Sequence, residues 1–409
     1  MKIGLKHIKK YLILIPFFLI TVSEIISFSN HFVGSILKLS AVVFMLAYVL
    51  GHGKFEIKLF LTFLIFIPIL LYHIKISFNL NAAIEEGIRY CFPVVVLFYG
   101  YAIRKHYKFI IVFIIIFAVI NNLYQFVNYF YWLIDVKEQW FYNKVLNKEI
   151  YYYNSSMGII RGVGLIGFFA AYGFLNLIAF FLARQFYNGR YKNYLLAFLA
   201  LGVIMSLSYK SLGVFLLLLF ILSKHKLRIF IGATSLFLIS LFLFPKKYAA
   251  FSEQISYRVE TYITEGNSAR AESYRVMFEE IRSFNVLGKG SGSFGGAAST
   301  KYDSPLYKEF NFNWHRTIYL ATTDTYYPHL IVELGLIGSF FYFIILFSPI
   351  FKQHFKKNFL LIIIAIYFSL LFDSLFSFAL NNLMFLMVSL LLIYPILEYE
   401  KNIITREYS

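Results

Sequence analysis

The segment SARAESYRVMFEEIRSFNVLGKGSGSF, Ser268 to Phe294, is the centre of the one long polar passage in this chain, residues 245–328. Its large apolar side chains recur with the 3.6-residue period of an α-helix, at Tyr274, Met277, Phe278 and Ile281. Charged residues fill the other face, which predicts a short amphipathic helix capped by Asn267 or Ser268. A glycine-rich turn follows the helix.

Arg270 stands four residues before Tyr274, which places a guanidinium group on the face predicted to be buried. Burying that charge is costly unless it has a partner. The alternative is an arginine in the first helical turn whose long stem lets the charge reach solvent. The segment alone does not decide between these two interpretations.

The composition assigns the chain to the membrane proteins. Of its 409 residues, 60% are hydrophobic and only 14% are charged, which is more apolar surface than a soluble fold could bury. The single cysteine, Cys91, lies in an apolar run, which excludes an intramolecular disulfide and a thiolate metal site.

Apolar windows of roughly 20 residues predict an all-α integral membrane protein with about 12 transmembrane helices. The windows are 11–28, 32–50, 57–74, 87–103, 108–134, 159–183, 193–208, 211–223, 229–244, 327–350, 358–376 and 378–397. We expect an N-terminal region, residues 1–158, with the first five helices and an external loop. The second region, 159–409, would carry the remaining helices and the large external loop 245–326 with its amphipathic helices. The N-terminus lacks a small-residue cleavage site, so the first window is expected to be retained.

Lysine and arginine are unequally distributed among the connections. Counting from the N-terminus, the even connections are all basic: GKFEIK, RKHYK, RQFYNGRYK, KHKLR and KQHFKK. Cytoplasmic loops carry this excess, so both termini are predicted to be cytoplasmic and the loop 245–326 external. All three tryptophans, at 132, 140 and 314, then fall on the outer side, as interfacial anchors would.

The formal net charge of +17 has two sources. About half of the basic residues are orientation signals; the others lie in or near the outer segments and suggest an anionic ligand. A nucleic-acid partner is not expected, because the sequence has no recognised binding motif. It also has no P-loop, dinucleotide fingerprint or metal-ligand cluster.

Arg161 precedes the sixth window together with three glycines, in RGVGLIG. Glycines let a ligand or another backbone come close, and a helix that begins here would direct its positive dipole end toward the outer face. Arg161 and this helix N-terminus would form an anion site. The alternative is an interfacial arginine that contacts lipid phosphates.

Arg89 follows Glu85 and Glu86 near the outer end of the fourth window. An i,i+4 pair between Glu85 and Arg89 is the structural interpretation. An indirect role beside a bound anion is the functional one.

Three candidate proton acceptors, Asp324, His315 and His329, stand at the end of the large loop and the start of the tenth window. A general base for a hydroxyl group requires such a residue. Each can also be structural: the aspartate as a residue at the start of a helix, and a histidine as a group whose hydrogen bonds are all made within the protein. Asp373, near the outer end of the eleventh window, is an intramembrane carboxylate and a functional candidate, although pairing with an outer arginine would also explain it.

Three spaced motifs together resemble the O-antigen ligase and O-antigen polymerase superfamily of bacterial surface-polysaccharide assembly. They are Arg161-Gly-Val-Gly-Leu; Arg270 with Tyr274 and the turn LGKGSGSF; and Asp324 to Gly338, which ends in HLIVELGLIG. A fourth stretch, SLSYKSLGVF from Ser206, is similar to the serine-rich turn that opens the shared region, with Lys210 where arginine is frequent. The resemblance covers roughly residues 155–345.

The resemblance implies a GT-C-like membrane glycosyltransferase in the bacterial cytoplasmic membrane. Its substrate would be an oligosaccharide on undecaprenyl pyrophosphate, with no metal or other cofactor. Arg161, Arg270 and Arg89 would bind pyrophosphate, and Asp324, with His329 and His315 as further candidates, would orient or deprotonate the acceptor. Tyr274, Gly288, Gly290 and Asp373 would support the site. The implied partners are membrane lipids, a chain-length regulator and a flippase.

The chain departs from the ligase pattern at one position. Ligases carry a histidine-asparagine pair where this chain has Asp324 and Thr325, which favours the polymerase branch. The sequence therefore predicts a polysaccharide polymerase. The alternatives are a ligase that transfers the finished polymer to lipid A core or protein, and a transporter of the lipid-linked oligosaccharide.

Overall fold

The computed structural model describes residues 11–134 without 28 and 54, and residues 138–140, 160–223, 268–312, 322–351 and 357–407. A few single positions between 226 and 260 are described as well. This part of the chain is helical and contains no β-strand. The α-helices of the first half are α1 Ile15–Ser27, α2 His31–His52, α3 Ile57–Ile76, α4 Leu80–Tyr90, α5 Phe92–Ile103, α6 Tyr107–Leu133, α7 Phe169–Phe186, α8 Lys192–Met205 and α9 Tyr209–Leu222. The second half contains α10 Ala269–Arg282, α11 Ala297–Lys301, α12 Leu306–Glu309, α13 Tyr326–Phe347, α14 Lys357–Ser374, α15 Leu383–Val388 and α16 Ile393–Glu407.

The prediction of an all-helical membrane protein is confirmed. Within the described part of the chain, six helical segments are long and apolar enough to cross a bilayer: 31–52, 57–76, 80–133, 169–186, 326–350 and 383–403. Shorter apolar helices lie at 15–27, 192–205, 209–221 and 359–374. Every predicted window except 229–244, which falls largely outside the described residues, overlaps one or more helices. The number of spans stays a prediction.

The helix starts follow from polar residues that interrupt the apolar runs. Asn30 caps α2 by accepting from Val33 N–H, and Asn79 caps α4 by accepting from two backbone N–H groups. Ser268 caps α10, as one of the two predicted caps, with its hydroxyl accepting from Ala271 N–H. Each cap satisfies a donor that the first helical turn leaves without a partner.

Described residues in or next to several of the odd connections contact one another at one end of the bundle, which we call the site end. Ser77 Oγ donates to Ser291 O at 2.7 Å, and Gly162 N–H donates to Met205 O at 2.7 Å. At the opposite end Arg104 pairs with Glu398 at 3.3 Å. The alternating topology predicted from the sequence stays a prediction. The assignment of the two ends to the two sides of a membrane stays a prediction.

The last predicted window, 378–397, is not one continuous helix. A 3-10 turn at Ala379–Asn381 precedes α15, and Ser389 separates α15 from a second 3-10 turn and α16. Every side chain from 383 to 397 is buried. A segment that is apolar on all sides belongs in the centre of a bundle, and this one packs against α1, α5, α6 and α7.

Candidate functional site

The glycine-rich turn after α10 packs directly against a break in α13. The break is at Gly335, whose φ of 64° and ψ of −173° are not helical. Gly288, with φ of +71°, lies so close that a Cβ on it would come within 2.4 Å of Gly335 N. A side chain at Gly288 would therefore collide with the backbone of Gly335, and a side chain at Gly335 with the backbone of Gly288. The positive φ values of both residues also favour glycine.

The backbone of this turn replaces the helical hydrogen bonds that the break removes. Lys289 N–H donates to Val332 O at 2.9 Å, and Gly290 N–H donates to Glu333 O at 3.0 Å. Ile337 N–H, which the break also frees, donates to Val286 O at 3.2 Å. Interrupted helices are tolerated at membrane depth only where protein satisfies the freed groups in this way. Gly288 and Gly290 therefore support the site by locking the turn against α13.

Four buried polar side chains form what we call the sealed network: Glu86, Tyr90, His329 and Glu333, all 0% exposed. His329 Nε2 lies 3.0 Å from Glu86 Oε1 and 3.1 Å from the Tyr90 hydroxyl. That hydroxyl donates to Glu333 Oε2 at 2.8 Å. The four side chains thereby join α4 to α13.

The sealed network also holds the glycine-rich turn. Gly292 N–H and Phe294 N–H donate to the two carboxylate oxygens of Glu333 at 2.8 and 2.9 Å. His329 Nδ1 lies 2.5 Å from Phe294 O. Both ring nitrogens of His329 thus face oxygen acceptors, and the ring does not reach the surface. This geometry suits a residue that fixes its neighbours better than one that takes a proton from a substrate.

Arg89 connects the sealed network to an open cavity. Its guanidinium contacts Glu86 Oε2 at 2.8 Å and Glu85 Oε1 at 2.6 Å, so the predicted i,i+4 pair is present. Lys301 adds a second cation to Glu85 at 3.0 Å. This hydrogen bond to Glu85 raises the pKa of Lys301 and keeps the amine charged. On the other side, Asn381 donates to Glu86 Oε1 at 2.7 Å.

The cavity lies at the site end between α2, the α4–α5 junction, α11 and the turn before α15. Its volume is about 1310 Å³. Its wall includes charged, amide, hydroxyl and aromatic side chains, among them Lys38, Glu85, Arg89, Lys301, Thr322, Phe378 and Asn381.

Arg270 and Asp324, which we call the open pair, lie beside this cavity. Arg270 Nη2 contacts Asp324 Oδ2 at 3.2 Å, and the side chains are 42% and 60% exposed. Thr322, which lines the cavity, donates to Asp324 Oδ1 at 3.1 Å. Asp324 has a φ of +55°, a conformation that non-glycine residues rarely adopt and that often marks functional positions. Arg270 is therefore half-exposed and paired, on a face that was expected to be buried.

The buried face of α10 differs from the sequence prediction. Its buried residues are Ser273, Val276, Met277 and Glu280, whereas Phe278 is 52% exposed. Ser273 Oγ bonds Thr325 Oγ1 at 2.9 Å, so α10 packs on the start of α13 through a polar contact that apolar periodicity does not reveal.

Arg161 lies eight residues before the first helical residue of its span, because α7 begins at Phe169 and not at 159. The predicted start was wrong, since residues 160–168 form an irregular segment that contains a short 3-10 turn. The guanidinium nevertheless returns to the helix start, 4.3 Å from the Phe169 ring, and lies 5.9 Å from the Tyr209 ring.

A chain of contacts leads from Arg161 to the open pair. Lys210, next to Tyr209, contacts Asp373 Oδ1 at 2.6 Å. Two residues after Asp373, Leu375 O accepts from the Tyr274 hydroxyl at 2.8 Å, and Tyr274 is one helical turn from Arg270. Burial raises the pKa of Tyr274 to about 12, so the hydroxyl remains a donor. Asp373 pairs with a lysine and not with an arginine.

This chain of contacts links Arg161, Lys210 and Arg270, and we use the name cationic cluster for these three residues. His315 falls outside the described residues. Sequence reasoning missed the roles of Glu86, Tyr90 and Glu333, although an acidic residue inside an apolar window is itself a signal of function. Sequence reasoning also missed the ion pair between Lys38 of α2 and Glu24 of α1, which are 3.0 Å apart.

No protein-family model matches this chain, and no curated protein matches it either.

Proposed function

We propose that this protein is a polysaccharide polymerase that joins oligosaccharide repeat units carried on undecaprenyl pyrophosphate, at the outer face of a bacterial cytoplasmic membrane. The observation that carries the proposal is the partly exposed pair of Arg270 and Asp324, 3.2 Å apart, which Thr322 links to the wall of the cavity. A cation beside a carboxylate at this position supplies both an anion contact and a proton acceptor.

The arginines suit the leaving group. Pyrophosphate carries at least two negative charges, and the planar guanidinium donates two parallel hydrogen bonds to its oxygens without losing its proton. Arg270 and Arg161 would hold the pyrophosphate of the donor lipid, with Lys210 beside them. These contacts strengthen as negative charge gathers on the pyrophosphate, so they favour the transition state over the bound donor.

Asp324 would act on the acceptor. A hydroxyl oxygen of the acceptor sugar forms a bond to the anomeric carbon of the donor glycan, and its proton passes to the Asp324 carboxylate. The bond from that carbon to the phosphate oxygen breaks, and the electron pair leaves with the pyrophosphate. Pyrophosphate is a good leaving group, so positioning and proton acceptance are the main tasks of the protein.

The sealed network would hold Asp324 in place. Thr323 N–H donates to Gly295 O at 2.9 Å, which ties the residue before Asp324 to the glycine-rich turn. Thr325, on the other side, bonds Ser273 of α10. Because Glu333 and His329 hold the same turn, we assign His329 a positioning role in this mechanism.

A deletion strain and the purified protein together test this proposal. Deletion should leave single repeat units on the lipid carrier, and purified protein should elongate such units in detergent. Long chains that remain on the carrier after deletion would indicate a ligase instead and would overturn the proposal.

A transporter of the same lipid-linked glycan is the second candidate, favoured by the break in α13. Interrupted helices commonly form the substrate sites of transporters. A liposome assay separates the two functions: a transporter would move a fluorescent polyprenyl-pyrophosphate glycan between leaflets without elongating it. The location of the cationic cluster at one end of the bundle favours chemistry at that end.

A further inference from the structure

The charged side chains of the cavity wall are arranged in pairs of opposite sign. Three lysine and arginine side chains line it, Lys38, Arg89 and Lys301. Each contacts a carboxylate: Lys38 contacts Glu24 at 3.0 Å, Arg89 contacts both Glu85 and Glu86, and Lys301 contacts Glu85 at 3.0 Å. Carboxylates therefore lie beside all three cations of the cavity wall.

A wall of paired charges instead presents donors and acceptors side by side. Arginine and lysine only donate, whereas ionised glutamate only accepts. A sugar hydroxyl group does both and can bridge such a pair. The part of the wall formed by Glu85, Arg89 and Lys301 therefore has the donors and acceptors to bind a neutral polyhydroxyl ligand, whereas a phosphate could use only the donors.

An amide group at the cavity points to the same ligand class. Asn381 donates to Glu86, but its carbonyl oxygen Oδ1 is buried and has no hydrogen-bond partner among the described residues. A buried acceptor without a partner is destabilising. A ligand hydroxyl group that donates to this oxygen would remove that cost.

Aromatic side chains complete the wall. Phe32 of α2 is 72% exposed and Phe378 lies next to the amide-bearing turn. Flat apolar rings beside a few convergent polar groups are typical of small-molecule sites, and the rings suit the apolar C–H faces of a sugar.

We propose that this cavity binds the acceptor oligosaccharide through its sugar hydroxyl groups, separately from the cationic cluster that binds pyrophosphate. Glu85, Arg89, Lys301 and Asn381 are the recognition residues. Thr322 belongs to the cavity wall and also holds Asp324, so a glycan bound here would present its end to the carboxylate. The term acceptor rests on the proposed polymerase function, whereas the oligosaccharide specificity does not.

The test blocks the cavity without touching the cationic cluster or the sealed network. Ser35 lines the cavity from α2, and among the described residues its hydroxyl bonds only the carbonyl of His31, one turn before it. Ser35→Trp should place an indole ring in the cavity and narrow it. Val33→Trp is the matched control, since Val33 lies two residues away on the opposite side of α2 and does not line the cavity.

Two probes are compared by saturation-transfer NMR on the purified full-length protein. One is the oligosaccharide pool released by mild acid from the lipid-linked glycans of the natural host; the other is farnesyl pyrophosphate. Ser35→Trp should weaken oligosaccharide binding about tenfold or more and leave farnesyl pyrophosphate binding unchanged, and Val33→Trp should change neither. Three outcomes would each overturn the inference. The wild type does not bind the oligosaccharide, Ser35→Trp binds it as tightly as the wild type, or Ser35→Trp selectively loses farnesyl pyrophosphate binding.

The elongation assay keeps this inference distinct from the proposed function. If purified protein elongates glycans and Ser35→Trp raises the acceptor KM without changing kcat, both stand. If the protein elongates and Ser35→Trp has the wild-type KM, only the cavity assignment fails. If the protein binds the oligosaccharide with the expected variant pattern but never elongates it, only the polymerase function fails.

Discussion

The sealed network and the open pair each place carboxylates against cationic groups, and they differ in their access to solvent. Glu86, His329 and Glu333 are 0% exposed, whereas Arg270 and Asp324 are 42% and 60% exposed. An exposed ion pair contributes little to stability because water competes for both charges. Removing one member of a buried pair leaves a charge that nothing else solvates. We therefore expect stability to depend on the sealed network and chemistry to depend on the open pair.

The largest expected effect is at Glu333. Glu333→Ala leaves Gly292 N–H, Phe294 N–H and the Tyr90 hydroxyl without their acceptor, so stability in detergent should fall by about 3–5 kcal/mol. Thermal unfolding of the purified variants measures this loss of stability. The control is Glu309→Ala, whose side chain is 54% exposed and pairs with Lys289 at 3.0 Å; it should lose at most about 1 kcal/mol. Equal losses in the two variants would contradict the contrast between buried and exposed pairs.

The second largest effect on stability is expected at the break in α13. Gly335→Ala places a Cβ 2.4 Å from Gly288 N at a φ of +64°, and should destabilise by about 1–3 kcal/mol. Gly213→Ala in α9 is the matched control, because a Cβ there meets nothing within 4 Å. Alanine in a helix is favoured over glycine by about 0.5–1 kcal/mol, so this control should be neutral or more stable. A stable Gly335→Ala variant would show that the turn and α13 do not need close contact.

The smallest effect on stability is at the open pair. Arg270→Ala should change the free energy of unfolding by less than about 1 kcal/mol, because the pair is exposed and its geometry is not bidentate. The same thermal unfolding measurement applies. A loss as large as that of Glu333→Ala would mean that the open pair is part of the scaffold.

The local features of the site were predictable from the sequence. The α10 helix, its Ser268 cap, the glycine-rich turn and the Glu85–Arg89 pair all depend on residues within a few positions of one another. Apolar periodicity and side-chain chemistry report such short-range relations directly.

The long-range contacts were not predictable in this way. Gly288 meets Gly335, and Glu86 meets His329, across separations that no periodicity encodes. The register of α10 was misjudged because Ser273 and Glu280 are buried by polar contacts and Phe278 is not buried. The start of α7 was misjudged because the apolar residues before Phe169 continue the hydropathy of the span without being helical. In each case, contacts with residues distant in the sequence determine which side chains are buried and where the helix begins.

The most direct test of the central claim is the elongation of lipid-linked repeat units by purified Arg270→Ala, compared with Arg282→Ala. Both arginines lie on α10, and Arg282 is exposed at the far end of the helix from the open pair. The account predicts that Arg270→Ala loses elongation by roughly 100-fold or more while its stability is unchanged, and that Arg282→Ala elongates normally. Normal elongation by a folded Arg270→Ala variant would contradict the account.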